Sequence, residues 1–305
     1  MASDSNLAAA PLAPGPTPEV ATPAGRIDLA YIWYQLSRSP LTLAGLAIIV
    51  FVLLVMLLAP WIAPYDPNAL DLRARLAAPG ALHWMGTDQV GRDLLSRIIW
   101  GSRVSVTIGV AIVFFSMSIG TILGAFSGLV GGRTDTVIMR LMDVLLSFPS
   151  FVMAMALAAA LGPDLINAML AIAVVRIPFY VRLARGQALS LRERAYVKAA
   201  VTFGASKRQI VLRHIVPNAM APIIVQSTLD IGGAILTAAA LSFIGLGAQQ
   251  PTAEWGAMVS SGRDFLLDQW WYPTFPGLAI LVTAVGFNLL GDGLRDIFDP
   301  RLKGK

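Results

Sequence analysis

Residues 41–63 form an uncharged, apolar run of 23 residues. In a helix rising about 1.5 Å per residue it reaches roughly 35 Å, enough to cross the hydrocarbon core of a bilayer. Arg38 precedes the run, and Trp61 and Tyr65 lie at its far end, which is the order of a basic inner flank and an aromatic interfacial belt. Five further apolar runs follow at about 104–132, 135–161, 165–183, 215–247 and 270–291. The chain is therefore read as an all-α integral membrane protein with about six transmembrane helices. Its charged fraction is 13%, against about 25% in a soluble domain, and its mean hydropathy of +0.69 points the same way.

Loop charges set the expected orientation. Between residues 182 and 213 lie Arg182, Arg185, Arg192, Arg194, Lys198, Lys207, Arg208 and Arg213 against Glu193 alone, so this stretch is expected on the cytoplasmic side. With six spans, both termini fall on that side too. The organisation expected is a disordered cytoplasmic tail (1–40), a first span (41–63), an extracytoplasmic connection (64–101), a main membrane domain (102–292) containing a polar loop (187–217), and a cytoplasmic tail (293–305). In the outer connection, Leu94, Leu95, Ile98 and Ile99 alternate with Arg92, Asp93, Ser96 and Arg97. This spacing suits either a short amphipathic helix at the interface or a lead-in to the second span.

The polar loop reads as two ordered helices rather than a floppy link. Residues 193–203 contain no helix breaker, and Tyr196, Ala199, Ala200 and Phe203 recur at helical spacing on one small-residue and aromatic face. Gly204 suits the left-handed position that ends a helix. Ser206 and Gln209 have capping-box spacing, with Ala205 and Ile210 at the staple positions. Pro217 either ends the second helix or kinks it into the fifth span. Glu193, Tyr196, Ala199, Ala200, Phe203, Gly204, Ala205, Ser206, Arg208 and Pro217 are thus the candidate contact residues of a bent unit. Charge alone is equally met by a solvated basic loop or by contact with anionic membrane lipid.

Composition excludes several chemistries. Without cysteine there is no disulfide, thiolate nucleophile or cysteine-ligated metal. The two histidines, His83 and His214, are far apart in sequence, so no multi-histidine metal site is expected, and no catalytic constellation is found. The net charge of +5 is assigned to membrane orientation, not to nucleic-acid binding. Asp143, Arg176 and Asp230 lie in or near spans, where charge is costly and faces protein or water; they are the candidate pathway-lining residues. For Asp143 the plainer alternative is a local pair with Arg140. Asn167 and Asn288 are read as interhelical hydrogen-bonding residues, and Gly120, Gly124 and Gly128 as a small-residue face for close packing, within this chain or with another. His83 is read as a surface or interface residue, and Asp88, Asp93 and Arg92 as outer-loop salt bridging or a meeting point for another protein.

Several strings together resemble a known family. The polar loop resembles the Glu-Ala-Ala, Gly and Pro signature of bacterial ABC-importer permeases, with Ala199, Ala200, Gly204 and Pro217 in register and Lys198, His214 and Val216 departing from it. The segments 83–93, 139–143 with Phe148 and Pro149, 241–249, 251–258, 275–280 and 287–296 are similar to the C-type subunit of the dipeptide/oligopeptide/nickel permease subfamily, the dipeptide permeases being nearest. The resemblance implies a type I ABC importer permease (MetI-like) fold over 102–292. It also implies a heterodimer with a B-type permease, two ATP-binding subunits that use ATP and magnesium, and an extracytoplasmic substrate-binding protein, in the bacterial cytoplasmic (inner) membrane. Residues 187–217 become the element that couples to the ATPase. The chain has no phosphate-cradling Gly-rich loop of its own, so it is expected to bind no cofactor and to be a non-catalytic subunit.

Two other classes stand beside this one. An ion-coupled secondary transporter would need membrane carboxylates such as Asp143 and Asp230. An intramembrane serine protease would need a base near Ser147 or Ser242, and no histidine lies within the spans. The importer reading carries peptides as cargo, with nickel, glutathione or another small solute as alternatives.

Overall fold

The computed structural model describes residues 39–298. The tail expected over 1–40 therefore falls almost wholly outside the described residues, as do positions 299–305. The described part is helical, and its one extended pairing is an isolated bridge between Thr87 and Asp93.

Helix α1 spans Pro40–Ile62. Ser39 opens it, its Oγ accepting from the Thr42 amide at 3.4 Å, and Pro40 occupies the first turn, where its missing N–H costs nothing. The helix is apolar all round, but only Thr42, Gly45, Ile49, Val52 and Ala59 are buried. They lie on the side facing the last helix, α10, which spans Trp271–Phe298. A methyl group at Gly45 would stand 2.7 Å from the Leu289 Cβ, so the two backbones touch through small residues. Between apolar side chains and lipid there is little hydrophobic drive, and such close van der Waals contact supplies the cohesion instead. The start of α1 and the end of α10 thus share one end of the bundle. Helix α10 continues to Phe298, so the first six residues of the tail expected over 293–305 are helical.

Helix α2 spans Leu94–Val130, capped by Asp93, whose carboxylate accepts from the Ser96 amide at 2.7 Å. This settles the two readings of 92–99: the segment is the first turn of the span, not a separate interfacial helix. Its polar side is covered rather than wet, with Ser96 and Arg97 essentially inaccessible, because residues 63–92 fold over it. Arg97 donates to the carbonyls of Pro67 (2.9 Å), Pro251 (3.3 Å) and Thr252 (3.4 Å), tying the connections before α2 and before α9 to the bundle. Asp88 takes the Arg92 guanidinium at 2.6 Å, and His83 Nδ1 meets Asp93 at 2.9 Å. Asp88 and Asp93 therefore bond within this segment. Truncating Arg97 to alanine would orphan three carbonyls and unbalance Asp88; a loss of about 3 kcal/mol is expected, read as a lowered unfolding temperature of the purified protein.

The third apolar run is not a straight span. It divides into α3 (Gly132–Leu146) and α4 (Ser150–Leu161), bent by 87° at Ser147-Phe148-Pro149. Pro149 cannot continue the ladder of α3 and pushes the preceding residue away from helical geometry. Five helices are each long and apolar enough to cross a membrane, and the bent pair makes six if it counts as one span.

Helix α5 (Leu165–Leu191) begins at Asp164, which accepts from the Ile166 and Asn167 amides. Asn167 turns back to donate to the Leu161 and Gly162 carbonyls, so it closes the α4–α5 connection instead of bridging distant helices. Asn288 is exposed on α10. Helices α2 and α5 form the most extensive pair in the bundle. The Gly120, Gly124 and Gly128 stripe lies in that pair, against Tyr180, Val181, Ala184 and Ala188 of α5, so its packing is within the chain. After α5 come α6 (Ala195–Thr202), α7 (Lys207–Ile210), a π-turn (Val211–Ile215), α8 (Val216–Phe243) and α9 (Trp255–Gly262) before α10.

Candidate functional site

Two constellations combine polar side chains with a specific geometry. The first is the bent unit at the end of the bundle where α2 and α5 finish. Helix α6 stops at Phe203, and Gly204 takes φ +79°. The Gly204 amide donates to the Val201 carbonyl at 2.9 Å and the Ala205 amide to the Ala200 carbonyl at 3.0 Å, the two-bond closure of a Schellman ending. Ser206 then caps α7, its Oγ accepting from the Gln209 amide at 3.3 Å. Pro217 does not end the helix. The Val216 amide reaches back five residues to the Val211 carbonyl, and the π-turn so formed sits just before the proline whose i−4 bond is missing. Helix α7, the π-turn and α8 run on as one helix from Lys207 to Phe243.

The unit has an inside and an outside. Val197, Ile210, Val211 and Ile215 pack with Ala125 of α2 and Ala188 of α5, with Ala200 and Ala205 partly buried against them. Ala200 therefore faces the chain's own core, while Ala199 and Phe203 face out, which divides the face expected from spacing. Phe203 is 89% exposed, Val201 56% and Tyr196 42%; the Tyr196 ring lies 6.4 Å from that of His214. Arg208 lines a shallow hollow of about 310 Å³ with Ser206, Gln209, Leu212 and Arg213. Lys198 pairs with Glu193 at 3.1 Å, and Arg192 reaches the other carboxylate oxygen at 3.2 Å. The Lys198 hydrogen bond, and then that of Arg192, hold the Glu193 carboxyl below the usual carboxylate range. All three side chains are substantially exposed, so these pairs contribute little to stability.

Stronger ties hold the unit's base. Arg185 grips Asp135 of α3 with two nitrogens, at 2.6 and 2.7 Å, and Ser127 of α2 donates to the same carboxylate at 2.6 Å. Arg192 donates to the Gly128 carbonyl at 3.3 Å.

The second constellation lies inside the bundle. Arg176 of α5 forms an ion pair with Asp230 of α8, 54 positions apart in sequence. Tyr180, one turn along α5, donates its hydroxyl to the other Asp230 oxygen at 3.0 Å, and the second Arg176 amine meets Thr237 at 3.2 Å. Arg176, Asp230 and Thr237 border a cavity of about 470 Å³, the size of a small-molecule site, whose lining also includes Leu146, Phe151, Ala154, Ile172, Val175, Phe179 and Gln226. Two of the three expected pathway residues are thus brought together. Asp143 is not among them: it pairs with Arg182 at 2.6 Å on an exposed face rather than with Arg140, because α5 runs beside α3 and supplies the nearer guanidinium. Tyr180 and Thr237 went unnoticed in the sequence. Their spacing of four from Arg176 and seven from Asp230 is the signal that could have found them. Among the described residues no group of three or more His, Asp or Glu is arranged to hold a metal ion.

The family described as binding-protein-dependent transport system inner membrane component matches residues 120–304, more than half of the chain. The N-terminal transmembrane domain of oligopeptide transport permease C matches residues 29–79. The chain is 60% identical over 280 residues to the probable D,D-dipeptide transport system permease protein DdpC of Escherichia coli K12, covering 92% of this chain and 94% of that protein. It is 43% identical to the di/tripeptide transport system permease protein DppC of Pseudomonas aeruginosa, over 95% of this chain and 97% of the other. It is 42% identical to the glutathione transport system permease protein GsiD of Escherichia coli, over 89% and 90%.

Proposed function

This chain belongs to the family of binding-protein-dependent transport system inner membrane components and is a multi-pass membrane permease of an ABC importer; we propose that its cargo is a dipeptide or short oligopeptide. The observation that carries the cargo is the 60% identity, nearly end to end, to a permease named for D,D-dipeptides. A glutathione permease at 42% supports a second reading of related chemistry, since glutathione is itself a modified tripeptide. Uptake of labelled L-Ala-L-Ala and D-Ala-D-Ala should fall to background in cells deleted for this chain and return with it supplied in trans. Unchanged peptide uptake alongside lost uptake of glutathione or of nickel would overturn the peptide cargo.

In the working arrangement the chain pairs with a B-type permease, two ATP-binding subunits and an extracytoplasmic binding protein in the bacterial cytoplasmic membrane. ATP and magnesium act on the ATP-binding subunits, and this chain carries out no catalysis. The bent unit from Glu193 to Pro217 docks on an ATP-binding subunit through Phe203, Ala199 and Tyr196, with Arg208 beside them. A rigid knuckle suits that task, because docking it costs little ordering entropy. The eight basic residues against one acid across 182–213 support a cytoplasmic position for the unit. By the parity of the spans, the start of α1 and the end of α10 lie on the same side. The chain has no cysteine, so a single Ser206→Cys substitution reports the side directly. A membrane-impermeant maleimide should label it in inverted vesicles and not in intact spheroplasts, and the opposite pattern would reverse the topology.

A further inference from the structure

We propose that Arg176 and Asp230 form an exchangeable ion pair that selects zwitterionic cargo, Asp230 taking the peptide ammonium and Arg176 the peptide carboxylate. This rests on the peptide-import reading above and names the groups that would recognise the peptide within the membrane.

The pair is not sealed as a purely structural bridge would be. Its side chains keep 20% and 16% of their surface accessible, and both border the cavity of about 470 Å³ between α5 and α8. The rest of the lining is largely apolar, with Phe151 of α4 and with Ile172 and Phe179 flanking Arg176 on α5. Tyr180 and Thr237 hold the outer atoms of each partner, so either charge can turn from its mate while keeping one hydrogen bond.

Charge balance then decides what the cleft accepts. A lone cation that captures Asp230 leaves Arg176 unpaired beside apolar walls, and a lone anion does the same to Asp230. An uncompensated charge in such surroundings is strongly unfavourable. A zwitterion brings one charge of each sign. It replaces both halves of the pair and leaves nothing unpaired, so its entry exchanges interactions instead of losing them. A dipeptide extends about 7 Å, which a cavity of this size accommodates. The same balance disfavours a bare metal cation as cargo.

The test uses the complete transporter, with partner permease and ATP-binding subunits, in nanodiscs without binding protein. Saturation-transfer NMR would measure the affinity of Ala-Ala, N-acetyl-Ala-Ala and Ala-Ala-amide for the membrane domain. In the wild type, acetylation and amidation should each weaken binding by about tenfold or more, as expected when one member of a desolvated charge pair is removed. In Asp230→Asn the acetylation penalty should vanish while the amidation penalty persists; Arg176→Gln should give the converse. A structural role alone would not produce this crossed pattern. The double variant Arg176→Gln/Asp230→Asn leaves no unbalanced charge to disturb folding, and it should bind the three compounds equally. Equal losses for all three compounds in the single variants, or a double variant that still discriminates among them, would overturn the subsite. Ala-Ala uptake by the wild-type transporter with its binding protein, measured in parallel in proteoliposomes, separates the two readings. Present uptake without the crossed pattern sinks the subsite alone, and absent uptake sinks the peptide cargo and the subsite with it.

Discussion

Replacing Phe203 by aspartate should abolish peptide uptake while the protein still folds and inserts into the membrane. Phe203 is the C-cap of α6 and is 89% exposed, so it contributes almost nothing to this chain's own packing. A surface substitution of that kind shifts stability by about 0.5 kcal/mol or less. An aromatic ring held out on a Schellman-closed turn nevertheless has the form of an anchor residue, and central aromatic anchors contribute about 2–4 kcal/mol to an interface. That corresponds to a docking constant weakened roughly 30- to 1,000-fold, and aspartate adds a desolvation penalty. Uptake of labelled dipeptide should fall to background, the unfolding temperature should hold within about a degree or two, and the ATP-binding subunits should no longer co-purify. Full uptake by the Phe203→Asp protein would remove Phe203 from the docking face and with it the assignment of the bent unit.

The second large effect is expected at the centre of the bundle. A Cβ at Gly124 would run into the Val181 carbonyl and stand 2.9 Å from the Ala184 Cβ and 3.0 Å from the Arg185 amide. Gly120 and Gly128 are equally tight, a methyl group meeting the Tyr180 Cβ at 2.5 Å and the Ala188 Cβ at 2.8 Å. Gly124→Leu must therefore drive α2 and α5 apart, and it would also strain the Arg185–Asp135 and Arg192–Gly128 ties below it. Overpacking of this kind costs about 3 kcal/mol. Here it strikes the most extensive helix pair, so the purified protein should aggregate in mild detergent and uptake should be lost through low abundance. Gly186→Ala is the matched control. Gly186 lies on the exposed face of α5 with nothing within 4 Å of an added methyl, and the better helix propensity of alanine should leave it neutral or slightly stabilised. A Gly124→Leu protein as stable as the Gly186→Ala protein would mean that the two helices do not pack as described.

How far the fold could be read from the sequence depends on whether its cause is local. The span at 41–63 is set by its own hydropathy, and α1 ends within one residue of that reading. The Gly204 stop and the Ser206 cap are also local, because backbone conformation and a three-residue reach decide them. What escaped was decided by neighbours. Hydropathy carries no direction, so the 87° bend at Ser147-Phe148-Pro149 stayed hidden in an unbroken apolar run despite its proline. The turn holding Ser96 and Arg97 looked like a wet amphipathic face because the loop that covers it is distant in sequence. Arg176 and Asp230 were each conspicuous as charges among apolar residues, but nothing within either helix encodes a partner 54 positions away. Asp143 had a plausible mate three residues off and took another from the adjacent helix.

The unbroken helix from Lys207 to Phe243 has a mechanical consequence. At 37 residues it is about 55 Å long, a stiff lever whose short end is the basic knuckle. Asp230 lies roughly 35 Å along it. A tilt of about 10° pivoting at the knuckle would sweep that carboxylate through about 6 Å, the size of a one-turn shift between helices. A stroke of that length takes Asp230 out of reach of Arg176, and the π-turn before Pro217 and the missing hydrogen bond at Pro222 are the joints in the shaft where such motion could be absorbed instead of transmitted.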